Sequence, residues 1–375
     1  MNDLNLIVGP KGFRHVGEIN QFLDLQHFKS TLLISEGYLP FNRKINSHSV
    51  LTKKLLPDFL AQLIVRKPFG PVSFLDFGRL DGIPEGGIIN GIELYSFASK
   101  SCANVARKKK AKLCISSWET IPKNPLFFVP PYIFNVITSI KQTDLFLVPT
   151  RLAQDCLLGL GINRSKVKAI YPGIDLQLFS PAKHNHQGFR LLFIGRLDEE
   201  KGVIDLLKAF IMLNVHHKEV ELWICGPIRS GHLFASRLRK LAQKYRIKLL
   251  GEVPRQEIPS IFAQSDALCL SSFDRQKWGL NIWEEQFGWS LVEALASGLP
   301  VIATDCGAIR EVVGDHNLIV NQHSVRELYL AMSRLTKDKE LQGHIGMLNR
   351  KRAEKLFDLR LQRKKLDCAL VNLIE

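Results

Sequence analysis

Residues 283–304, WEEQFGWSLVEALASGLPVIAT, constrain the chain more than any other stretch. Glu284 and Glu285 precede a turn that ends at Gly288. Leu291, Val292, Leu295 and Ala296 then recur at helical period, which predicts a helix over about 289–297. Gly298 stands where a helix ends in the left-handed conformation. Pro300 opens a β-branched run, VIAT, that reads as a buried parallel strand. The stretch is therefore loop, helix, tight turn and strand.

A chain of 375 residues exceeds one ordinary core, which predicts two domains. Its start repeats the same grammar. Residues 4–8 are an apolar run, and the loop GPKGFRHVGE follows with three glycines and Lys11, Arg14 and His15. A helical pattern to about residue 27 and a strand near 31–35 complete the opening of a doubly wound α/β unit. A helix over 55–65, strands over 72–77, 86–90 and 112–117, and a helix over 92–108 continue it. Trp118, Glu119 and Thr120 end the last of these strands, where a parallel sheet places its sites.

The hydrophobic share of 46% with moderate charge describes a globular enzyme. No apolar run has transmembrane length, and no basic segment with an apolar core opens the chain. A cytoplasmic protein is the expectation. Seven singly scattered cysteines without a CxxC read as buried thiols in a reducing compartment, not as disulfides or a zinc site.

The formal charge of +15 is densest at residues 107–112, RKKKAK. A solvated helix end and an anionic membrane surface both account for it. No aromatic residue interleaves the cluster and no nucleic-acid fold signature accompanies it, so no nucleic-acid partner is expected. Residues 125–140, PLFFVPPYIFNVITSI, are too broken by proline to span a membrane. They read either as a buried helix or as an acceptor- or membrane-facing surface.

The segment YPGIDLQLFSPAKHNHQG has no helical period and four Pro or Gly residues, which predicts a linker with the boundary near residue 185. The domains are then 1–185 and 186–350, with a basic terminal helix over 351–375. A strand over 189–195 runs into GRLDEEKGVIDLLKAF, whose helix turns Val203, Ile204, Leu207, Phe210 and Ile211 to one face. Arg196 and Lys201 sit above that helix's N-terminus. Cations there oppose the dipole unless an anion lies between them. Glu293 has two readings. With Ser290 three residues earlier it forms a capping box. Alternatively it lies one turn inside a helix N-terminus suited to phosphate, within reach of a polyol such as ribose.

Glu285, Phe287, Gly288 and Glu293, followed by Ala-Ser-Gly-Leu-Pro, resemble the E-x-F-G-x-x-x-x-E signature of retaining family 4 glycosyltransferases of the GT-B fold (glycosyl transferases group 1). GRL-x-x-x-KG, from Gly195 to Gly202, is similar to that family's other signature. The resemblance implies two facing Rossmann-like domains with a cleft between them, the last helix crossing back onto the first. It implies that Arg196 and Lys201, at the Gly195 turn, bind a donor diphosphate. Glu293 would bind ribose, Phe287 and Gly288 would belong to the donor site, and Glu285 would contact the donor sugar. Backbone at the GEVP turn, 251–254, would read the base. The expected reaction moves a sugar from a UDP- or GDP-linked donor to a saccharide or lipid-linked acceptor with retention. No metal or other cofactor is expected, and peripheral contact with an anionic membrane is the one association foreseen.

Three departures qualify the resemblance. Trp118-Glu119 stands where many members have His-Asp, so Trp118 either stacks on a sugar or fills core, while Glu119 is the candidate for sugar hydroxyls. The first glycine loop lacks the usual double glycine. The loop 272–283, longer than usual, either shapes sugar or acceptor choice or is a surface insertion. An epimerase on the same fold and a non-catalytic partner subunit are the rival readings.

Overall fold

The computed structural model describes residues 2–8, 16–35, 47–50, 52–54, 75–77, 85–122, 124–182, 186–229 and 231–375. The chain divides into two units. The first comprises Met1–Gly173, Lys277–Ile282 and Leu359–Glu375, and the second Ile174–Gln276 and Trp283–Asp358.

In the first unit the strands are β1 (Asn2–Val8), β2 (Phe28–Ser35), β3 (Ser47–Val50), β4 (Thr52–Lys54), β5 (Leu75–Phe77), β6 (Ile88–Ile92), β7 (Lys112–Ser116), β8 (Leu145–Val148) and β9 (Val167–Ala169). Seven of them form one parallel sheet in the order β3-β2-β1-β6-β7-β8-β9, while β4 and β5 pair separately. β1 runs in register with β2 from Asn2↔Phe28 to Val8↔Ile34 and meets β6 on its other side at Leu4↔Ile88. The strand order reverses between β1 and β6, the point where such sheets bind ligands.

Every residue of β6 and β8 is buried, as expected of strands covered on both faces. One layer of core joins Ile89, Leu113 and Phe146 to Ala98, Cys102 and Leu157. The other joins Leu4, Ile19, Phe22 and Ile88 to Leu366 and Leu370 of the terminal helix Leu359–Ile374.

The helix expected over 92–108 begins later, at Phe97–Lys108. Glu93 adopts the left-handed conformation (φ 57°), and the Ser96 amide donates to its carbonyl in a turn. The Ser96 hydroxyl then accepts the Ser99 amide and caps the helix. Residues 125–140 are a short 3-10 turn, Pro125–Phe127, and the helix Tyr132–Gln142. Tyr132, Asn135, Val136 and Ser139 face inward, but Phe128, Val129, Phe134 and Ile137 are exposed. The buried-helix reading therefore holds for one face only.

The second unit has β10 (Phe189–Ile194), β11 (Val220–Cys225), β12 (Ile247–Gly251), β13 (Ala267–Leu270), β14 (Arg275–Lys277), β15 (Leu280–Trp283), β16 (Val301–Thr304) and β17 (Leu318–Val320). Its parallel sheet runs β12-β11-β10-β13-β16-β17, again reversing beside the first strand, between β10 and β13. β14 and β15 form a separate ribbon, whose residues 277–282 group with the first unit.

The helix Val203–His216 buries Val203, Leu206, Leu207, Phe210 and Leu213. Ile204, expected on this face, is half exposed, because it lies one residue around from the 203–207–210 stripe. The division of the chain after Gly173 precedes the boundary expected at residue 185. The reason is that the linker packs as part of the second unit. The Ile174 amide donates to the Phe357 carbonyl, and the Arg350 guanidinium donates to the Leu176, Phe179 and Ala296 carbonyls.

All seven cysteines are free, six are buried, and Cys368 is exposed, contrary to expectation. No described helix is long and apolar enough to cross a membrane. Gly9, Lys11, Gly12, Arg14 and His15 of the first loop, the helix expected over 55–65, and residues 72–74 lie outside the described residues.

Candidate functional site

The site of the second unit is built on the loop after β10 and the loop after β13, on either side of the reversal in strand order. Gly202 closes the GRLDEEKG loop and starts the helix Val203–His216. Its φ of 64° favours glycine, and a Cβ there would lie 1.8 Å from the Ser271 carbonyl oxygen. The Ser271 hydroxyl reaches the carbonyls of Lys201 (3.1 Å) and Gly202 (2.9 Å). The two loops are thus fastened backbone to side chain, and Lys201 is held at the seam.

Lys201 Nζ lies 2.6 Å from Oε2 of Glu285, with the two side chains 13% and 9% exposed. The Ser272 hydroxyl donates to the same oxygen at 2.9 Å. The Trp283 ring lies under the ammonium, 5.1 Å from Nζ to its centroid. Glu285 is itself gripped from behind. Its carbonyl accepts the Ala308 amide at 2.8 Å, and a Cβ on Gly307 would lie 2.3 Å from that carbonyl. The two signature motifs therefore meet at one ion pair.

Arg196, the other expected phosphate ligand, turns onto its own loop. It pairs with Asp198 at 2.7 Å and lies 3.8 Å from Glu200, with 42% of its side chain exposed. Gly195 precedes it at the end of β10, its amide bonded to the Cys225 carbonyl.

The helix Trp289–Ala296 begins at Gly288, which has φ 76° and no side-chain cap. The capping box read between Ser290 and Glu293 is not formed. Gly288 is the cap residue, so Ser290 already lies in the first turn, and the Glu293 side chain turns to Arg255 instead. A Cβ on Gly288 would come 3.7 Å from Glu285 Cγ, so the helix starts against the Glu285 side chain. Phe287 is core. Its ring meets Trp289 at 5.5 Å and Phe357 at 6.0 Å.

Glu293 is 2% exposed and forms an ion pair with Arg255, which follows the GEVP turn after β12. Burial pushes its pKa up, while the Arg255 charge and hydrogen bond pull it down less strongly. Arg255 also stacks 5.4 Å over the Phe179 ring. Sequence reasoning missed Arg255. Its only signal is a lone cation directly after a turn already suspected of reading a base.

In the first unit Glu119 is turned into its own loop. One oxygen accepts the Thr120 and Ile121 amides and the other the Asn124 side chain at 2.6 Å. Glu119 is also buried, so its expected contact with sugar hydroxyls would require it to be uncovered. Trp118 lines a hollow of about 30 Å³ with Glu18, Gln21, Ser116, Pro149 and Pro172.

Sequence reasoning also missed Glu93, at the C-terminal end of β6 beside the reversal of the first sheet. Its carboxyl accepts the Trp118 amide at 2.9 Å and the Ser117 hydroxyl at 3.0 Å. Burial first, then the Glu119 charge, push its pKa up to about 8 against those two hydrogen bonds. Among the described residues, no group of three or more His, Cys, Asp or Glu comes together to hold a metal ion.

Residues 177–352 match the family model described as glycosyl transferases group 1. A D-inositol 3-phosphate glycosyltransferase of Corynebacterium glutamicum is 27% identical over 228 residues, covering 55% of this chain and 52% of the relative. The chain spans about half the length of the curated relatives it matches. Among solved structures, Anabaena HepE in complex with UDP and glucose is 16% identical with a TM-score of 0.73, covering 99% of this chain and 100% of HepE. Sucrose-phosphate synthase of Thermosynechococcus elongatus is 16% identical with a TM-score of 0.74, covering 100% and 99%.

Proposed function

We propose that the chain is a retaining glycosyltransferase of the glycosyl transferases group 1 family, a reading supported by the match of residues 177–352 to that family's model and by the likeness of the fold to solved GT-B structures. It moves a hexosyl group from a UDP- or GDP-linked donor to a saccharide or lipid-linked acceptor in glycan synthesis. A lipid-linked acceptor would bring it to a membrane surface as a peripheral protein.

The observation that carries this reading is the Lys201–Glu285 ion pair at the strand reversal of the second sheet. Breaking the bond between the anomeric carbon and a diphosphate gathers negative charge on the leaving group. Preorganised cations and N–H dipoles lower that barrier. Lys201 is fixed by the Ser271 bonds to its backbone and is the cation for that charge. Arg196 is the second, once it leaves Asp198. The N-terminus of the helix Trp289–Ala296 supplies dipoles beside Glu285. Glu285, released from Lys201 as the diphosphate takes its place, steadies the donor sugar. Glu293, oriented by Arg255, takes the ribose hydroxyls. On this reading neither a metal nor a further cofactor takes part.

Calorimetry with UDP and GDP tests donor binding, UDP first because HepE was solved with it. Donor consumption with and without saccharide acceptors, followed by product mass, tests transfer. One observation favours a second reading, a subunit that binds a nucleotide sugar without turning it over: Glu119 is buried and bonded within its own loop. A donor that binds but is never consumed under any acceptor would establish that alternative.

A further inference from the structure

We propose that the first unit carries a lipid-docking face, on which the exposed apolar stripe of the helix Tyr132–Gln142 and the turn before it seats on an anionic bilayer. Phe128, Val129, Phe134 and Ile137 are 58%, 49%, 57% and 43% exposed, four large apolar side chains within ten residues. Single exposed apolar residues are ordinary, whereas a contiguous set marks an interaction surface. Phe134, Ile137 and Lys141 follow one another at i, i+3 and i+7 and so share one side of the helix.

The helix cannot roll to hide them. Its other side is fastened by the Asn135 side chain to the Tyr95 carbonyl (3.0 Å) and by the Ser139 hydroxyl to the Leu94 carbonyl (2.7 Å). Tyr132 also meets the Phe97 ring at 6.1 Å. The helix Phe97–Lys108 packs alongside and ends in Arg107 and Lys108.

Charge identifies the occupant. Residues 94–143 hold eight basic side chains and one acidic one, Glu119. Glu119 is buried with both oxygens bonded inside its loop, so this stretch presents no exposed carboxylate to repel a lipid phosphate. The second unit also exposes an apolar set, Ile204, Met212 and Val215, but there Asp205 pairs with Lys208 and His323 beside it. Exposed Glu85 is brought beside the cations by the Gly86 amide, which donates to the Lys109 carbonyl at 2.8 Å, but one carboxylate does not balance Arg107, Lys108, Lys109 and Lys110. Of the two, the first face combines apolar bulk with the larger excess of cations, and that combination matches an interfacial surface over anionic headgroups.

The inference uses the first unit alone and does not depend on the transferase reading. UDP calorimetry in lipid-free buffer reports on that reading separately and should be unchanged in every variant below. The full chain is sedimented with phosphatidylcholine vesicles and with equal mixtures of phosphatidylcholine and phosphatidylglycerol. It should bind the anionic vesicles only, and less at high salt. Phe134→Ser with Ile137→Ser should lower the affinity at least tenfold, as expected for two buried side chains lost from the lipid interface. Lys108→Gln, Lys109→Gln and Lys110→Gln should each cost about fivefold. Val215→Ser, on the other unit, should change nothing.

Phe134→Trp preserves the bulk and reads insertion directly. Brominated acyl chains should quench its fluorescence beyond that of the wild type. Absence of binding to the anionic vesicles, affinity indifferent to the Phe134 and Ile137 changes, or quenching in Phe134→Trp no greater than in the wild type each overturns the proposal. So does a dimer in lipid-free buffer that Phe134→Ser dissociates, which would assign the face to a second copy of the chain.

Discussion

Lys201 Nζ and Glu285 Oε2 stand 2.6 Å apart, joining the two signature motifs of the second unit across 84 residues of sequence. The pair is nearly closed to solvent. A buried ion pair contributes little net stability, yet losing one partner leaves the other charge uncompensated. On the proposed reading the pair would couple folding to donor binding, because an anion that draws Lys201 away must also leave Glu285 satisfied. Ser272 and the helix N-terminus beside Gly288 are the groups positioned to do so.

The two cations should separate cleanly. Lys201→Ala should lower stability by roughly 3–5 kcal/mol in denaturant unfolding, because Glu285 stays buried without its cation. Adding Glu285→Ala should recover part of that loss. Arg196 is 42% exposed, so Arg196→Ala should change stability by less than about 1 kcal/mol. Both variants should bind nucleoside diphosphate more weakly, by roughly 1.5–3 kcal/mol for a charge-assisted contact. Unchanged UDP and GDP calorimetry in both would remove the loop from the donor site.

Gly202→Ala tests the seam rather than the charge. The new Cβ would meet the Ser271 carbonyl at 1.8 Å in a backbone conformation that costs a non-glycine residue about 1–2 kcal/mol by itself. A loss above about 2 kcal/mol in stability is expected, with nucleotide affinity falling because Lys201 is displaced. Wild-type melting and binding would show that the two loops are not fastened here.

Glu93 makes stability depend on pH. Its folded-state pKa of about 8 lies above its ordinary value of 4.5, so between those values the folded chain holds a proton that the unfolded chain has lost. Its contribution is present in full below 4.5 and is lost as pH rises through about 8. Wild-type melting temperature should therefore fall by more between about pH 5 and 8 than that of Glu93→Gln, which cannot ionise. Parallel melting curves for the two would show that Glu93 is not the group responsible.

Much of the second unit was legible in the sequence, for a physical reason. A glycine needed at a left-handed seam, a cation above a helix start and a carboxylate before the next helix must recur at fixed spacing, and local spacing is what a sequence displays. Glu93 and Arg255 were not legible because each becomes part of a site only through strand order. Glu93 gains its place when β6 lies beside β1, and Arg255 when the loop after β12 meets the helix carrying Glu293. Ser290 and Glu293 show the converse error. Their spacing satisfies a capping box, yet the left-handed Gly288 already caps the helix two residues ahead of Ser290. Residues 125–140 left two readings open for a related reason, since an apolar run does not say whether its second face meets a core or solvent.

The two glutamates should respond oppositely to the same chemical change. Glu293→Gln removes a charge that burial already disfavours, and no capping role is lost with it. Stability at neutral pH should then change by no more than about 1 kcal/mol, as the Arg255 ion pair becomes a neutral hydrogen bond. Nucleotide affinity should fall, because ribose hydroxyls lose a charged acceptor. Glu285→Gln removes the counter-charge that holds Lys201. A diphosphate no longer has to displace that carboxylate, so UDP or GDP should bind as tightly as in the wild type or tighter. Turnover should nevertheless drop, with kcat reduced more than KM is changed, if the Glu285 contact strengthens as charge develops on the sugar. Calorimetry and a rate measurement on the pair decide it. Weaker nucleotide binding by Glu285→Gln would mean that the carboxylate serves to position Lys201 for the diphosphate. Wild-type turnover would mean that Glu285 takes no part in the chemistry.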